Sequence, residues 1–188
     1  MTGRFALALE RARQIHGAQT RRGAAIPYVA HLLGVAALVL NDGGSEDEAI
    51  AALLHDTVED HGARITFTDI ARDFGENIAR IVEACTEPPA GANAGWRAQK
   101  ALYVEHIRKA PKEAQRVILA DKLENARYVE FCLDRWGDVY WSRFAAPTAA
   151  DMRWYHERLR DALAPWNAGA LYQEFNALAA ALAPRLGK

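Results

Sequence analysis

The stretch Ala52–Asp60, ALLHDTVED, sets one histidine and three carboxylates among six consecutive residues, directly behind an apolar run. On a continuous helix His55 stands one turn before Glu59, and Asp56 one turn before Asp60. His55 and Asp56 then project about 100° apart, so both reach a cation lying off the helix side. A divalent ion accepts the neutral imidazole and the carboxylate, offsets the crowded negative charge and draws a water into the same corner. Two ligands do not make a site, and two further segments offer the rest. PYVAHL places His31 near the start of an apolar helix, where a polar ring needs a partner. VILADKLENAR places Asp121 directly after Val117, Ile118, Leu119 and Ala120, where a carboxylate is costly unless paired or metal-bound. Each residue taken singly has a plain structural reading, as a hydrogen-bonded core histidine or a salt-bridged aspartate. The order H…HD…D, with each element ending or interrupting a buried-looking helix, favours the metal.

Glu59 and Asp60 lie one turn beyond the first ligands, placed to orient or deprotonate a water. The alternative is a solvated helix end. Acidic residues at a helix C-terminus oppose its macrodipole and cost a few tenths of a kcal/mol, which favours a functional role. His61 answers those charges, and His16, His106 and His156 read as surface or packing residues. Tyr140, Trp141, Trp154 and Tyr155 recur at helical spacing and read first as core.

The elements that must carry these residues are helical. Apolar positions recur every three or four residues nearly throughout, and alternating strand patterns are absent. Ser45 and Glu48 form a capping box behind the NDGG loop, opening a helix that runs through the HD motif. Other helices are expected at about 3–20, 28–40, 67–74, 76–86, 96–109, 112–136, 148–164 and 168–182. Gly75 separates two of them, Pro111 opens another, and EPPAGANAG at 87–95 is a loop. The expectation is one all-α domain over 1–188 of roughly eight to ten helices, its core at about 5–165, with the metal site in the helical core.

Composition narrows the function class. A chain of 188 residues with a net charge of −1 carries no global field toward nucleic acid or membrane. An anionic ligand must be held by local arginines and lysines. Cys85 and Cys132 lack metal-binding spacing and read as small buried apolar groups. The N-terminal segment has no apolar core of signal-peptide length, and runs such as VAALVL are too short to span a bilayer. A cytoplasmic enzyme or binding module fits these bounds, with no obligate protein partner.

Together, LLHDTVED and ADKLENAR in the order H…HD…D resemble the HD-domain metal-dependent phosphohydrolases, and among them the Rel/Spo hydrolase domain and its stand-alone small alarmone hydrolases. The likeness runs from about residue 5 to 165 and includes AQTRRGAAIPYVAH, WRAQKALYVEHIRKAP, GDVYWSRF and MRWYHERL. The resemblance implies one Mn²⁺ per chain held by His31, His55, Asp56 and Asp121, with Glu59 and Asp60 as the acidic pair of a hydrolase-competent domain. It places Lys122 and Asn125 next to a bound nucleotide. It sets Arg21 and Arg22 where one arginine stacks on a purine and a second cation meets phosphate. The implied reaction is hydrolysis of the 3′-pyrophosphate of (p)ppGpp or (p)ppApp, giving GDP or GTP (ADP or ATP) and pyrophosphate. A hydrolase alone is expected, with no synthetase segment.

The chain departs from the pattern at Leu32, where proline is common, and at Arg22, where lysine is more usual. Glu87-Pro88-Pro89 stands where some members carry a lysine, and Arg97 and Lys100 are candidates for that phosphate contact. Arg143 and Tyr155 are further pocket candidates. Two rivals remain open here. One is another HD-domain phosphatase or nucleotidase acting on NADPH or a 5′-nucleotide. The other is a non-catalytic, nucleotide-sensing helical module, against which the intact ligands and acidic pair argue.

Overall fold

Four helix starts are set by side chains that accept the first free backbone N–H groups. Thr2 caps α1 (Gly3–His16). Ser45 and Glu48 close the expected capping box on α3 (Glu46–Leu54). Thr66 with Asp69 does the same for α5 (Phe67–Phe74), and Thr148 with Asp151 for α9 (Ala149–Leu163). Each such cap contributes about 1 kcal/mol. The remaining helices of the computed structural model are α2 (Val29–Asn41), α4 (Thr57–His61), α6 (Glu76–Cys85), α7 (Trp96–Ile107), α8 (Lys112–Trp136) and α10 (Ala170–Leu182), with 3₁₀ turns at Gly137–Arg143, Ala164–Trp166 and Ala183–Arg185. Residues 1–91, 94–143, 147–166 and 169–186 are described. Positions 92 and 93 of the expected loop, Phe144 of GDVYWSRF and the expected helix start at 168 fall outside them. Among the described residues the extended backbone amounts to one isolated antiparallel bridge, Thr20 with Pro27.

The chain forms two compact units. The first comprises residues 1–86 and 110–121, and the second residues 87–109 and 122–188. In the first, α3 is the central element: Ala49 to Leu54 are all fully buried. α1, α2 and α6 pack against it, and α5 packs on α6. Burying Ile50, Leu53 and Leu54 contributes about 1.5–3 kcal/mol each. The N-terminal part of α8 joins this unit through Val117, Ile118 and Ala120, all at 0 % exposure. Arg116 bonds both Asp42 and Glu48, tying that segment to the ends of α2 and α3. In the second unit α9 packs on α7 and on α10. Cys85 and Cys132 are free and buried, as expected.

Two helix boundaries depart most from expectation. α1 stops at His16 because Gly17 turns the chain at φ 53°, where its N–H bonds the Arg13 carbonyl. More consequentially, the helix expected to run through the HD motif breaks there. α3 ends at Leu54, Asp56 sits at φ −96°, ψ −3°, and α4 starts at Thr57.

Candidate metal centre

At the His55–Asp56 break, side chains bond the last carbonyls of α3. His55 Nδ1 donates to the Ala52 carbonyl at 2.8 Å, and Thr57 Oγ1 donates to the Leu54 carbonyl at 2.6 Å. Threonine and aspartate compete for nearby backbone groups in this way and are poor helix-interior residues. The first bond also fixes the imidazole: with Nδ1 carrying the proton, the neutral ring presents the lone pair of Nε2.

That Nε2 faces the other three sequence-predicted ligands. It lies 3.3 Å from His31 Nε2, 3.0 Å from Asp56 Oδ2 and 3.6 Å from Asp121 Oδ1. His31 Nε2 lies 3.4 Å from both Asp56 Oδ2 and Asp121 Oδ1. All four belong to the first unit. His31, His55 and Asp121 are buried, while the Asp56 side chain keeps 20 % of its surface exposed. The donor atoms of His31, His55 and Asp56 by themselves are close enough to share one ion. Two ligands about 2.1 Å from one ion stand roughly 3.0 Å apart at a right angle and roughly 3.4 Å apart in a tetrahedron. The observed separations match that spacing.

Electrostatics point the same way. Burial opposes charge on His55, yet Asp56 and Asp121 outweigh it and raise its pKa well above the ordinary histidine range. Burial likewise opposes charge on Asp56, but His55 and His31 hold its carboxyl well below the usual range. The cluster therefore demands a positive charge at its centre, which a proton or a divalent ion supplies. Tyr28 adds a fixed donor, its hydroxyl bonding Asp56 Oδ2 at 2.5 Å. Burial first, then Asp56, keep that phenol protonated. Sequence reasoning missed Tyr28, although it lies three residues before His31.

Glu59 and Asp60 are exposed, and here the break corrects a sequence argument. They do not end a long helix against its dipole; they occupy the first turn of α4, where negative charge is favoured. Their position thus carries no electrostatic cost to be explained by function. Asp60 is held by Gln19, whose Nε2 donates to its Oδ2 at 2.7 Å. His61, expected to answer the acidic charges, instead bonds Gln19 Oε1 at 2.7 Å. His16 is 4 % exposed and stacks on Tyr28.

Arg21 and Arg22 open the loop closed by the Arg21 N–H to Ile26 carbonyl bond. Arg21 is 5 % exposed and Arg22 lies at the surface.

The other sequence-predicted contacts belong to the second unit. Lys122 is buried, with its Nζ 4.4 Å from the centroid of the Tyr103 ring, and Asn125 is half-buried. Arg97 pairs with Asp151 and lies over Trp154. Lys100 pairs with Glu87 among the rings of Trp96, Tyr103 and Tyr155. Arg143 stacks over Trp136 at 4.5 Å, and Tyr155 is buried against Trp96.

Comparison with known proteins gives a consistent picture. A family model described as "HD domain" matches residues 8–136. The Xenopus tropicalis guanosine-3′,5′-bis(diphosphate) 3′-pyrophosphohydrolase MESH1 is 41 % identical over 108 residues, which cover 56 % of this chain and 58 % of the relative. An Aquifex aeolicus protein named guanosine-3′,5′-bis(diphosphate) 3′-pyrophosphohydrolase is 37 % identical over 126 residues, 64 % of this chain and 17 % of the relative. The chain thus spans little more than half the length of the first relative and a small part of the second. A solved structure described as a metazoan ortholog of SpoT that hydrolyzes ppGpp superposes with a TM-score of 0.74 at 25 % identity, covering 95 % of this chain and 94 % of the other. A Listeria monocytogenes EGD-e structure superposes at 0.71 with 29 % identity, over 82 % of this chain and 99 % of that one. Among the described residues, no helix is long and apolar enough to cross a membrane.

Proposed function

This chain belongs to the HD domain family, and on that premise we propose that it is a Mn²⁺-dependent hydrolase removing the 3′-pyrophosphate of a purine alarmone. The substrate is (p)ppGpp, with (p)ppApp as the adenine counterpart, and the products are the 5′-phosphorylated nucleoside and pyrophosphate. The observation that carries this reading is the convergence of His31, His55, Asp56 and Asp121 at ligand spacing. The named activity of the relatives supports the substrate class.

In this reading the four side chains hold the ion, which when bound supplies a Lewis acid for a phosphate oxygen and an acidified water. His55 Nδ1–H on the Ala52 carbonyl keeps its Nε2 free to ligate, and Tyr28 fixes the Asp56 carboxylate. Glu59 orients the attacking water and accepts its proton, which the ionised Asp60 takes on to the leaving group. The ester P–O bond breaks as the water oxygen bonds to phosphorus, and the nucleoside 3′ oxygen leaves with the proton taken from that water. Arg21 and Arg22 are assigned to the purine face and the phosphates, the guanidinium plane suiting the stack.

Lys122 and Asn125 are proposed as nucleotide contacts because they follow Asp121 in the ADKLENAR segment. Arg97, Lys100, Arg143 and Tyr155 are proposed as further pocket contacts. Each cation is already engaged within the second unit, so a phosphate must compete for it.

The test is a hydrolysis panel of ppGpp, ppApp, NADPH and GMP, with Mn²⁺ and after chelation. Release of pyrophosphate from ppGpp or ppApp only with metal is expected. Preferential phosphate release from NADPH or GMP overturns the alarmone assignment in favour of another nucleotide phosphatase. Absence of turnover on the whole panel favours a sensing module.

A further inference from the structure

Gln19 has no charge, no unusual spacing and no place in the metal centre. Its amide nevertheless touches three polar side chains. Nε2 donates to Asp60 Oδ2 at 2.7 Å. Oε1 lies 2.8 Å from His16 Nδ1 and 2.7 Å from His61 Nε2. A carboxylate has no proton to give, so the NH₂ end of the amide must face Asp60. The oxygen then faces both imidazoles, and each ring nitrogen must donate to it. Among neutral rings one pattern satisfies all three bonds: His16 as the Nδ1–H tautomer and His61 as the Nε2–H tautomer.

The surroundings agree. His16 Nε2, left unprotonated, has no partner, and a bare ring acceptor is the cheaper orphan than a buried N–H. The ring is sandwiched by contacts to Tyr28, stacked at 4.9 Å, and His61, edge-on at 4.9 Å. Burial first keeps the His16 imidazole neutral, against the pull of Gln19 and of Asp56. His16, Asp60 and His61 are also spaced as a cation site would be. The Gln19 amide, however, stands among these groups and uses both imidazole protons.

We propose that Gln19 is a positioning residue: its amide, locked by His16 and His61, holds the Asp60 carboxylate in a single orientation for its part in the reaction. The inference rests on the function proposed above for Asp60, and its geometric half stands apart from that function. Without Gln19 an exposed aspartate on a one-turn helix samples its rotamers freely. Misplacing a reacting group costs turnover more than binding.

Two arms test it. Long-range ¹H–¹⁵N spectra should show His16 as Nδ1–H and His61 as Nε2–H, with three-bond couplings reporting one χ1 rotamer at Asp60. In Gln19→Leu that rotamer should become averaged. An Nε2–H tautomer at His16, an unchanged Asp60 rotamer in Gln19→Leu, or a second ion bound at His16 and His61 overturns the proposal, whatever the substrate is. In the kinetic arm, Gln19→Leu loaded with Mn²⁺ should lose roughly tenfold to a hundredfold in kcat on ppGpp, with KM within about twofold. In an Asp60→Ala background the same substitution should lose nothing further. Equal losses in both backgrounds show that Gln19 does not act through Asp60. Inactive wild-type enzyme on ppGpp, with the spectroscopic pattern intact, sinks the substrate reading and leaves the positioning of Asp60 standing.

Discussion

His156 should make the chain acid-sensitive, and replacing it with leucine should remove that sensitivity. The residue lies on α9 at 4 % exposure, its Nδ1 lacks a hydrogen-bond partner, and its ring meets Phe175 edge-on at 6.3 Å. Burial pushes its pKa from 6.5 down to about 4. A depressed folded-state pKa means the neutral ring is the form the fold accepts. Its contribution is therefore complete above the unfolded value and is lost as pH falls from about 6.5 toward 4. The full window corresponds to about 3 kcal/mol, and between pH 7 and pH 5 the loss is about 2 kcal/mol. Urea unfolding of wild type and His156→Leu at both pH values isolates this residue from the other titrating groups. The stability difference between the two proteins should shift by about 2 kcal/mol in favour of the variant on going to pH 5. A difference that is the same at both pH values would refute the assignment of a buried neutral imidazole.

Three further expectations follow from named groups. Glu59→Gln should retain bound metal while kcat falls by roughly 10²-fold or more, the scale of a lost acid–base group; unchanged turnover would return Glu59 to a solvated role. Arg→Lys keeps charge but not the planar guanidinium, so at the stacking position, Arg21 or Arg22, it should raise KM for ppGpp and ppApp alike by several-fold to about thirtyfold. Neither variant changing KM would remove the stacking role. Ser45→Ala opens the capping box on α3 and should cost about 1 kcal/mol in denaturant unfolding, and a change confined to a few tenths would show the cap to be dispensable.

Much of the fold and of the candidate metal centre is legible in the sequence because its polar residues interrupt otherwise apolar helices. His31 at the head of α2 and Asp121 behind Val117–Ala120 are conspicuous against buried neighbours, and the capping box on α3 is a local signal. The break at Asp56 is not legible from periodicity, since the apolar pattern of α3 continues into Val58. Its signal lies in Thr57 and His55, whose side chains take the Leu54 and Ala52 carbonyls. The division of α8 between two units is hidden for a related reason: a continuous 25-residue helix shows no seam at Asp121–Lys122. His16, Gln19 and His61 escape a reading by pattern because single polar residues have no period. Only folding brings Gln19 between residues 16 and 61.

The central claim is that His31, His55, Asp56 and Asp121 hold one divalent ion. Mn²⁺ titration of chelator-treated protein, followed by electron paramagnetic resonance, tests it most directly, with His55→Ala and Asp121→Ala beside wild type and helicity checked by circular dichroism. Wild type should bind one ion per chain, and the folded variants should lose it or bind far more weakly. Folded His55→Ala or Asp121→Ala protein that binds one Mn²⁺ as tightly as wild type would contradict the account.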